Sequence, residues 1–416
     1  MLKTRILYET LEAHLEKKAF TILTGARQTG KTSILKLLHN HLVSKNRKVV
    51  TLTLEDSQLC DTLDQQPENL FNYTDIPKQV SYGETLSVDE KLYVLIDEIQ
   101  YLKNPSNFLK LLYDTYADSL KLVVTGSSAF YLDRNFTDSL AGRKQLFWLK
   151  TLNFEEFLHF NNANYLADEL LRLRRTPETI SPKNAELRIM FNEYLTYGGY
   201  PAVVLQQETK DKIAMLADIK NAYIKRDIHE SNINNEAAFM NLMRLLAAQC
   251  GSLANRNELS KLLKIDNKTV DNYLYVLQKC FHIELLRPFT GNIRKEITKM
   301  PKVYFYDLGL RNSLLNRFEP IHNRDDKGVI AENYLFQRLA EQYEPDRLNF
   351  WRTIDNHEVD FVVSDEYQKG KAYEIKYNTA ILKPKKYALF TENLPNYPLY
   401  YVSAVEQPNA LDLIRI

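Results

Sequence analysis

The octapeptide Gly25-Ala26-Arg27-Gln28-Thr29-Gly30-Lys31-Thr32 constrains this chain more than any other stretch. An apolar run, Ala19 to Leu23, precedes it, and an apolar-periodic run at Ile34, Leu35, Leu37, Leu38 and Leu42 follows. That context predicts a strand, a sharp loop and a helix. The spacing G-x-x-x-x-G-K-[ST] is that of a phosphate-binding loop. Its glycines let backbone N–H groups turn inward around phosphate oxygens, and the helix N-terminus adds its dipole to the anion site. Lys31 is expected to reach the β- and γ-phosphates and Thr32 to hold Mg2+. Gly25 to Thr32, with Ser33 in the same helical turn, are the candidate ATP-binding residues.

The next strong signal is Leu92-Tyr93-Val94-Leu95-Ile96-Asp97-Glu98. Five apolar residues predict a strand buried on both faces, as in a parallel sheet. The two carboxylates at its end form a Walker B pattern. Asp97 is the expected Mg2+ ligand, largely through water, and Glu98 the general base for the attacking water. Ahead of the loop, residues 5–17 read as a short amphipathic helix; between the two motifs, Lys48 to Leu54 reads as a strand and 56–82 as irregular with helical pieces. A helix is expected from Asn104-Pro105, then a buried strand, Leu120 to Val124, ending in Thr125-Gly126-Ser127-Ser128. A polar residue there can touch the γ-phosphate or the lytic water. Ser127 is the candidate, ahead of Thr125 and Ser128; a loop cap without nucleotide contact is the alternative. Leu140-Ala141-Gly142-Arg143 precedes a last strand, Gln145 to Leu149.

Taken together, Thr24 to Thr32, Ile96-Asp97-Glu98-Ile99-Gln100, Thr125 to Ser128 and Ala141-Gly142-Arg143 resemble a prokaryotic AAA-type ATPase family with a C-terminal domain of unassigned function. The resemblance runs over almost the whole chain. It implies ATP and Mg2+ as cofactors and an ATPase core over residues 1–152. It also implies that Arg143 acts as an arginine finger on a neighbouring subunit's γ-phosphate, hence a homo-oligomer, ring-shaped in such families. A surface ion pair is the alternative for Arg143. Residues 153–232 read as a helical lid. Its phrase Tyr197-Gly198-Gly199-Tyr200-Pro201 is similar to the glycine–proline phrase of related signalling ATPases, where the proline touches the nucleotide base. That makes Pro201 a candidate contact, with a helix-breaking turn as the alternative. Arg226 is either a nucleotide sensor or the partner of Asp227 or another acid.

Residues 233–320 read as a winged helix. Three helical patterns, Ala237 to Cys250, Asn257 to Leu263 and Lys268 to Cys280, precede two wing strands, Ile283 to Leu286 and Lys302 to Tyr306. In a DNA-binding version the third helix enters the major groove with Asn267, Lys268, Thr269, Asn272 and Lys279 as contacts. Basic residues of the wing tip, Arg294 to Lys299, would meet phosphates. From 255 to 300 there are nine basic residues against five acidic ones, a modest local surplus. It matters because the whole chain is balanced, with 54 basic and 53 acidic residues, so any DNA surface must be a patch. An interdomain packing module is the alternative.

Residues 321–416 carry Glu332 on an amphipathic helix, Glu358-Val359-Asp360 on a strand and Glu374-Ile375-Lys376 on the next. Strand alternation puts Glu374 with Lys376, and Glu358 with Asp360. The order resembles the PD-(D/E)XK nuclease signature of Holliday-junction resolvases and many restriction enzymes. The resemblance implies Mg2+ on Asp360 and Glu374, aided by Glu332, with Lys376 activating water. A degenerate or purely DNA-binding module is the alternative.

The expected fold is therefore α/β and multidomain: AAA-type core, helical lid, winged helix and restriction-endonuclease-like domain. The expected function is a DNA-binding ATPase that remodels or processes DNA, branched DNA included. A nucleotide-switch signalling ATPase with a protein partner, or a transcription regulator, is the alternative. Cys60, Cys250 and Cys280 lack metal-ligand spacing and suit a reducing cytoplasm. No apolar run approaches bilayer length, so no membrane partner is expected.

Overall fold

The computed structural model describes residues 2–74, 91–126, 140–176, 181–290, 294, 296, 299–366, 368–378, 384–407 and 409–416. Ser127 and Ser128, and Lys295, Ile297 and Thr298 of the expected wing tip, lie outside the described residues. The chain divides into two compact units, residues 1–150 with 279–281 and residues 151–278 with 282–416.

The first unit is built on five parallel strands: β1 (Phe20–Thr24), β2 (Lys48–Thr53), β3 (Leu92–Asp97), β4 (Leu120–Gly126) and β5 (Lys144–Trp148). Their order is β2-β3-β4-β1-β5. The three central strands are buried along their whole length, which is why they read as largely apolar runs. The helices are α1 (Leu7–His14), α2 (Lys31–Ser44), α3 (Ser57–Gln65) and α4 (Pro105–Tyr116). Alternation along β3 sends Tyr93 and Leu95 to a core shared with Leu11, Ile34, Leu35 and Leu38. Leu92, Val94 and Ile96 face the other core, with Leu59, Leu63, Phe108 and Leu112. Helix α4 starts where Asn104 accepts a hydrogen bond from Asn107 N at 3.0 Å, a cap worth about 1 kcal/mol, and Pro105 supplies the first helical turn.

One side chain breaks the alternation. Lys121 of β4 is fully buried, its ammonium bonded to the carbonyls of Lys17 (3.0 Å) and Ala19. Burial, reinforced by repulsion from Lys91, pushes it down from 10.5 to about 7. Between about pH 7 and 10.5 the unfolded chain then binds the extra proton, so stability rises with pH across that window and is flat below it. The melting temperature is expected to climb between about pH 7 and pH 10, at up to roughly 1 kcal/mol per pH unit. Lys121→Met should flatten that slope; an unchanged slope would remove Lys121 as its source.

The second unit begins with helices α5 (Phe154–Phe160), α6 (Asn164–Arg175), α7 (Asn184–Tyr197), α8 (Pro201–Val204), α9 (Thr209–Asp218) and α10 (Ile224–Glu230), the last two joined by a π-turn, Ile219–Tyr223. Three more follow with short connections: α11 (Glu236–Ala248), α12 (Arg256–Leu263) and α13 (Asn267–Lys279). A seven-stranded sheet comes next, with β6 (Ile283–Pro288), β7 (Lys302–Phe305), β8 (Leu348–Arg352), β9 (Glu358–Glu366), β10 (Lys369–Lys376), β11 (Leu399–Ser403) and β12 (Leu411–Asp412). Its order is β12-β11-β10-β9-β8-β6-β7. Helices α14 (Leu308–Leu315), α15 (Lys327–Gln342) and α16 (Ala388–Asn393) complete the unit. The hairpin β6–β7 is antiparallel, while Arg287 and Pro288 at the end of β6 pair in parallel with Asn349 and Phe350 of β8. Leu253, between α11 and α12, makes a single bridge to Lys302. Helix α15 is stitched to β7 by Asn333, whose side chain both accepts from Phe305 N (2.7 Å) and donates to Phe305 O (2.9 Å).

The phrase Tyr197-Gly198-Gly199 has a packing explanation inside this unit. Asp307 caps α14 by accepting from Leu310 N at 2.8 Å, and its other oxygen accepts from Gly199 N at 2.8 Å. Asn312 donates to the carbonyls of Leu195 (3.0 Å) and Thr196 (2.9 Å), closing the open end of α7. Gly198 has φ +75°, and a Cβ on Gly199 would lie 2.1 Å from Leu152 O. Gly198 is thus required where α7 meets Asp307 and Gly309, and Gly199 where the chain passes Leu152, without reference to a nucleotide.

Candidate nucleotide site and carboxylate cluster

Topology assembles the first site. β4 lies between β1 and β3, and the register aligns Leu23 with Thr125 and Ile96 with Val124. The ends of these strands therefore present the phosphate loop, Thr125 and the Asp97–Glu98 pair side by side. Thr32 Oγ1 donates to Asp97 Oδ2 at 2.7 Å, and Thr125 Oγ1 donates to Asp97 Oδ1. The Glu98 N–H donates to Thr125 Oγ1 at 3.1 Å, and Gln100 Nε2 donates to the Glu98 carboxylate. Glu98 sits in the left-handed region (φ +60°), which turns its side chain off the strand direction. A hydroxyl and a buried carboxylate in contact suit the Mg2+ expected on Thr32 and Asp97.

The loop itself is cradle-shaped. Gln28 (φ +60°) and Gly30 (φ +99°) reverse the backbone so that successive N–H groups converge. Lys31 is buried, its Nζ donating to Gly25 O (2.9 Å) and Ala26 O (2.8 Å). A Cβ on Gly25 would lie 2.1 Å from Leu149 O, so this glycine is set by close approach to the chain leaving β5. Arg5, which no motif singled out, is buried and donates to Thr29 O (2.7 Å) and Lys150 O (2.9 Å), bracing the loop from the N-terminal segment.

The second unit brings Glu332, Asp360, Glu374 and Lys376 to one cluster, together with four groups the motif did not include, Lys302, Tyr304, Arg352 and Tyr387. Lys376 Nζ lies 2.5 Å from Glu374 Oε1 and 3.8 Å from Asp360 Oδ2. Asp360 Oδ2 accepts from Ile375 N at 2.9 Å, and Tyr387 donates to Glu374 Oε1 at 2.7 Å. Burial, and then the neighbouring Asp360, pushes the Glu374 carboxyl up to about 7. The unforeseen member is Lys302 of β7, with 3% of its side chain exposed. Its Nζ lies 2.7 Å from Glu358 Oε1, 3.1 Å from Glu332 Oε1 and 4.0 Å from Asp360 Oδ1. Tyr304 donates to Glu332 at 2.7 Å, and Arg352 takes the second oxygen of Glu358 at 2.9 Å. Burial works against the Lys302 ammonium, but Glu332, Asp360 and Glu358 more than offset it and hold the group above the ordinary lysine range.

The Mg2+ implied on Asp360 and Glu374 does not fit this donor set. A divalent ion on Asp360 would share it with the Lys302 ammonium. Among the described residues, no group of three or more His, Cys, Asp or Glu is arranged to hold a metal ion.

Comparison with known proteins gives three family matches along the chain. Residues 17–158 match the AAA domain family. Residues 188–320 match a domain of unknown function (DUF8612), and residues 327–408 match another (DUF4143). An uncharacterized protein of Methanocaldococcus jannaschii is 25% identical over 372 residues, covering 88% of this chain and 76% of the relative. One from Haemophilus influenzae is 25% identical over 372 residues, covering 86% and 83%. Among solved structures, AMPPCP-bound DnaA from Aquifex aeolicus is 18% identical over 66% of this chain and 87% of its own, with a TM-score of 0.28, too low to carry an argument.

Within the AAA domain, Arg143 forms a two-pronged ion pair with Asp114, at 2.6 and 3.3 Å. In the second unit, Pro201 opens α8. Arg226 pairs with Glu230 at 3.3 Å rather than with Asp227, which instead meets His282 at 2.9 Å. On α13, Asn267, Lys268 and Asn272 are exposed, whereas Thr269 and Lys279 are partly buried. Thr269 and Asp266 cap the helix, with bonds of 2.6 and 2.9 Å. No described helix is long and apolar enough to cross a membrane.

Proposed function

We propose that this chain is an ATP-hydrolysing, DNA-binding ATPase that couples turnover to remodelling DNA, with branched DNA among its candidate substrates. The observation that carries the ATPase half is the contact of Thr32, Asp97, Thr125 and Glu98 at the mouth of the phosphate loop. In this reading Lys31 leaves its two loop carbonyls for the β- and γ-phosphates. Glu98 takes the proton of the attacking water, and Thr125 fixes the Glu98 backbone. Mg2+ held by Thr32 and Asp97 would neutralise charge developing on the transferred phosphate. Ser127 stays a candidate γ-phosphate contact and Pro201 a candidate base contact.

The DNA half is supported by the exposed Asn267, Lys268 and Asn272 at the start of α13, read as the third helix of a winged helix. The C-terminal module enters as a DNA grip. Arg143 is read as a finger toward a neighbouring copy. Its pair with Asp114 is partly exposed and screened by water, so exchange for a γ-phosphate is inexpensive.

The test is steady-state ATP hydrolysis with and without single-stranded, duplex and four-way-junction DNA. At least one form is expected to stimulate turnover about tenfold. Lys268→Glu with Asn272→Ala should reduce the stimulation and leave basal turnover unchanged. Absence of both stimulation and low-salt DNA binding would move the assignment to a nucleotide switch acting on a protein partner.

A further inference from the structure

The carboxylate cluster of the second unit raises a question of charge. Glu332 comes from α15 and Glu358 and Asp360 from β9, yet all three turn to one nitrogen, Lys302 Nζ, at 3.1, 2.7 and 4.0 Å. Arg352 occupies the remaining oxygen of Glu358 and Tyr304 shares Glu332, so the donors and acceptors around the ammonium are matched. The ammonium nitrogen lies over the Phe350 ring, 5.5 Å from its centroid. A lysine recruited to meet a DNA phosphate would be reachable from solvent. Lys376 is, with 39% of its side chain exposed, whereas Lys302 has 3%.

We infer that the Lys302 ammonium is the resident cation of this cluster, standing where a divalent metal ion would otherwise be held, so that the module keeps its shape without metal and does not cut DNA by a metal-dependent route. The placement is written into the backbone. Lys302 opens β7, is bridged to Leu253, and β7 is pinned to α15 through Asn333 one residue after Glu332. A buried cation needs paired carboxylates, and buried carboxylates need a cation. Lys302 and the Arg352 guanidinium meet that need for Glu332 and Glu358, and Lys376 serves Asp360 and one oxygen of Glu374, whose second oxygen is buried without a hydrogen-bond partner. The inference rests on side-chain geometry and is independent of whether the ATPase acts on DNA.

The test is a Mn2+ titration of the nucleotide-free full-length chain, read by electron paramagnetic resonance of free Mn2+ and by melting temperature. Wild type and Asp360→Asn are expected to bind Mn2+ equally, because the cluster takes none. Lys302→Gln keeps a stem and a donor but removes the charge. It should melt lower in metal-free buffer, recover with Mn2+, and bind Mn2+ about tenfold tighter than wild type in an Asp360-dependent way. If Lys302→Gln fails to fold, Mn2+ present during refolding should restore it. Asp360-dependent Mn2+ binding or DNA cleavage by wild type overturns the inference. So does a Lys302→Gln chain that neither gains a Mn2+ site nor is rescued by the ion.

Discussion

Glu98→Gln is expected to lower ATP turnover by about 10²–10⁴-fold while nucleotide still binds. The glutamine keeps the size and the left-handed backbone of residue 98 but cannot accept a proton. Its amide can still meet Gln100, and the Glu98 N–H bond to Thr125 involves only backbone on that side, so the strand ends should hold their register. Steady-state hydrolysis with a parallel nucleotide titration separates the two effects. Lys31→Ala is the contrasting variant, since it removes a charge from the cradle itself and should lose binding together with turnover. Wild-type turnover in Glu98→Gln would transfer the base role to another residue. Comparable loss of binding in both variants would mean that Glu98 supports the loop rather than the chemistry.

Gly309→Ala is expected to be among the most destabilising single substitutions in the second unit, by about 3 kcal/mol or more. A Cβ there would lie 2.0 Å from Tyr197 O and 2.9 Å from Gly198 N. Both neighbours are backbone, so no side-chain rotation relieves the contact. Either α14 must withdraw from the end of α7 or the Asp307 bond to Gly199 must break. Either way a buried carboxylate loses partners that offset its burial. For a unit of this size that corresponds to a fall in melting temperature of roughly 6–12 °C. Gly328→Ala is the control: nothing lies within 4 Å of its Cβ position, and it sits in the first turn of α15. It should be neutral, or stabilising by up to about 1 kcal/mol. A Gly309→Ala chain that melts with wild type would mean that α7 and α14 can separate at little cost.

The features legible in the sequence were those encoded locally. The phosphate loop has a fixed spacing, and β3 and β4 are continuous apolar runs because both faces of those strands are covered. The α11, α12 and α13 helices follow from apolar periodicity and short connections. What was not legible depends on partners far along the chain. The sequence suggested that the strand after α4 ended at Val124, which left Thr125 as one of several loop residues. It continues to Gly126, so Thr125 faces Asp97 from within the sheet. Lys302 looks like an ordinary charge at the start of a strand, since Glu332 follows 30 residues later and Glu358 and Asp360 later still. Lys121 and Arg5 escaped notice for the same reason: each serves backbone carbonyls, and carbonyls leave no trace in the residue string. The glycine pair ahead of Pro201 is legible as a turn, but what it packs against is not, because Gly309 and Asp307 lie over a hundred residues away.

The short parallel pairing of Arg287 and Pro288 with β8 bears on how this protein can be dissected. A fragment ending near residue 320 would contain the three helices and the hairpin, and on paper would be a free-standing module. It would also carry Lys302 without any of its carboxylates, Phe305 without Asn333, and an open sheet edge where β8 had been. Apolar surface uncovered by the loss of α15 and β8 and a bare strand edge are the two liabilities most apt to make a fragment aggregate. The practical unit of expression runs from α5 to β12. Failure of a shorter fragment to bind DNA would reveal its own instability and nothing about the proposed role of α13.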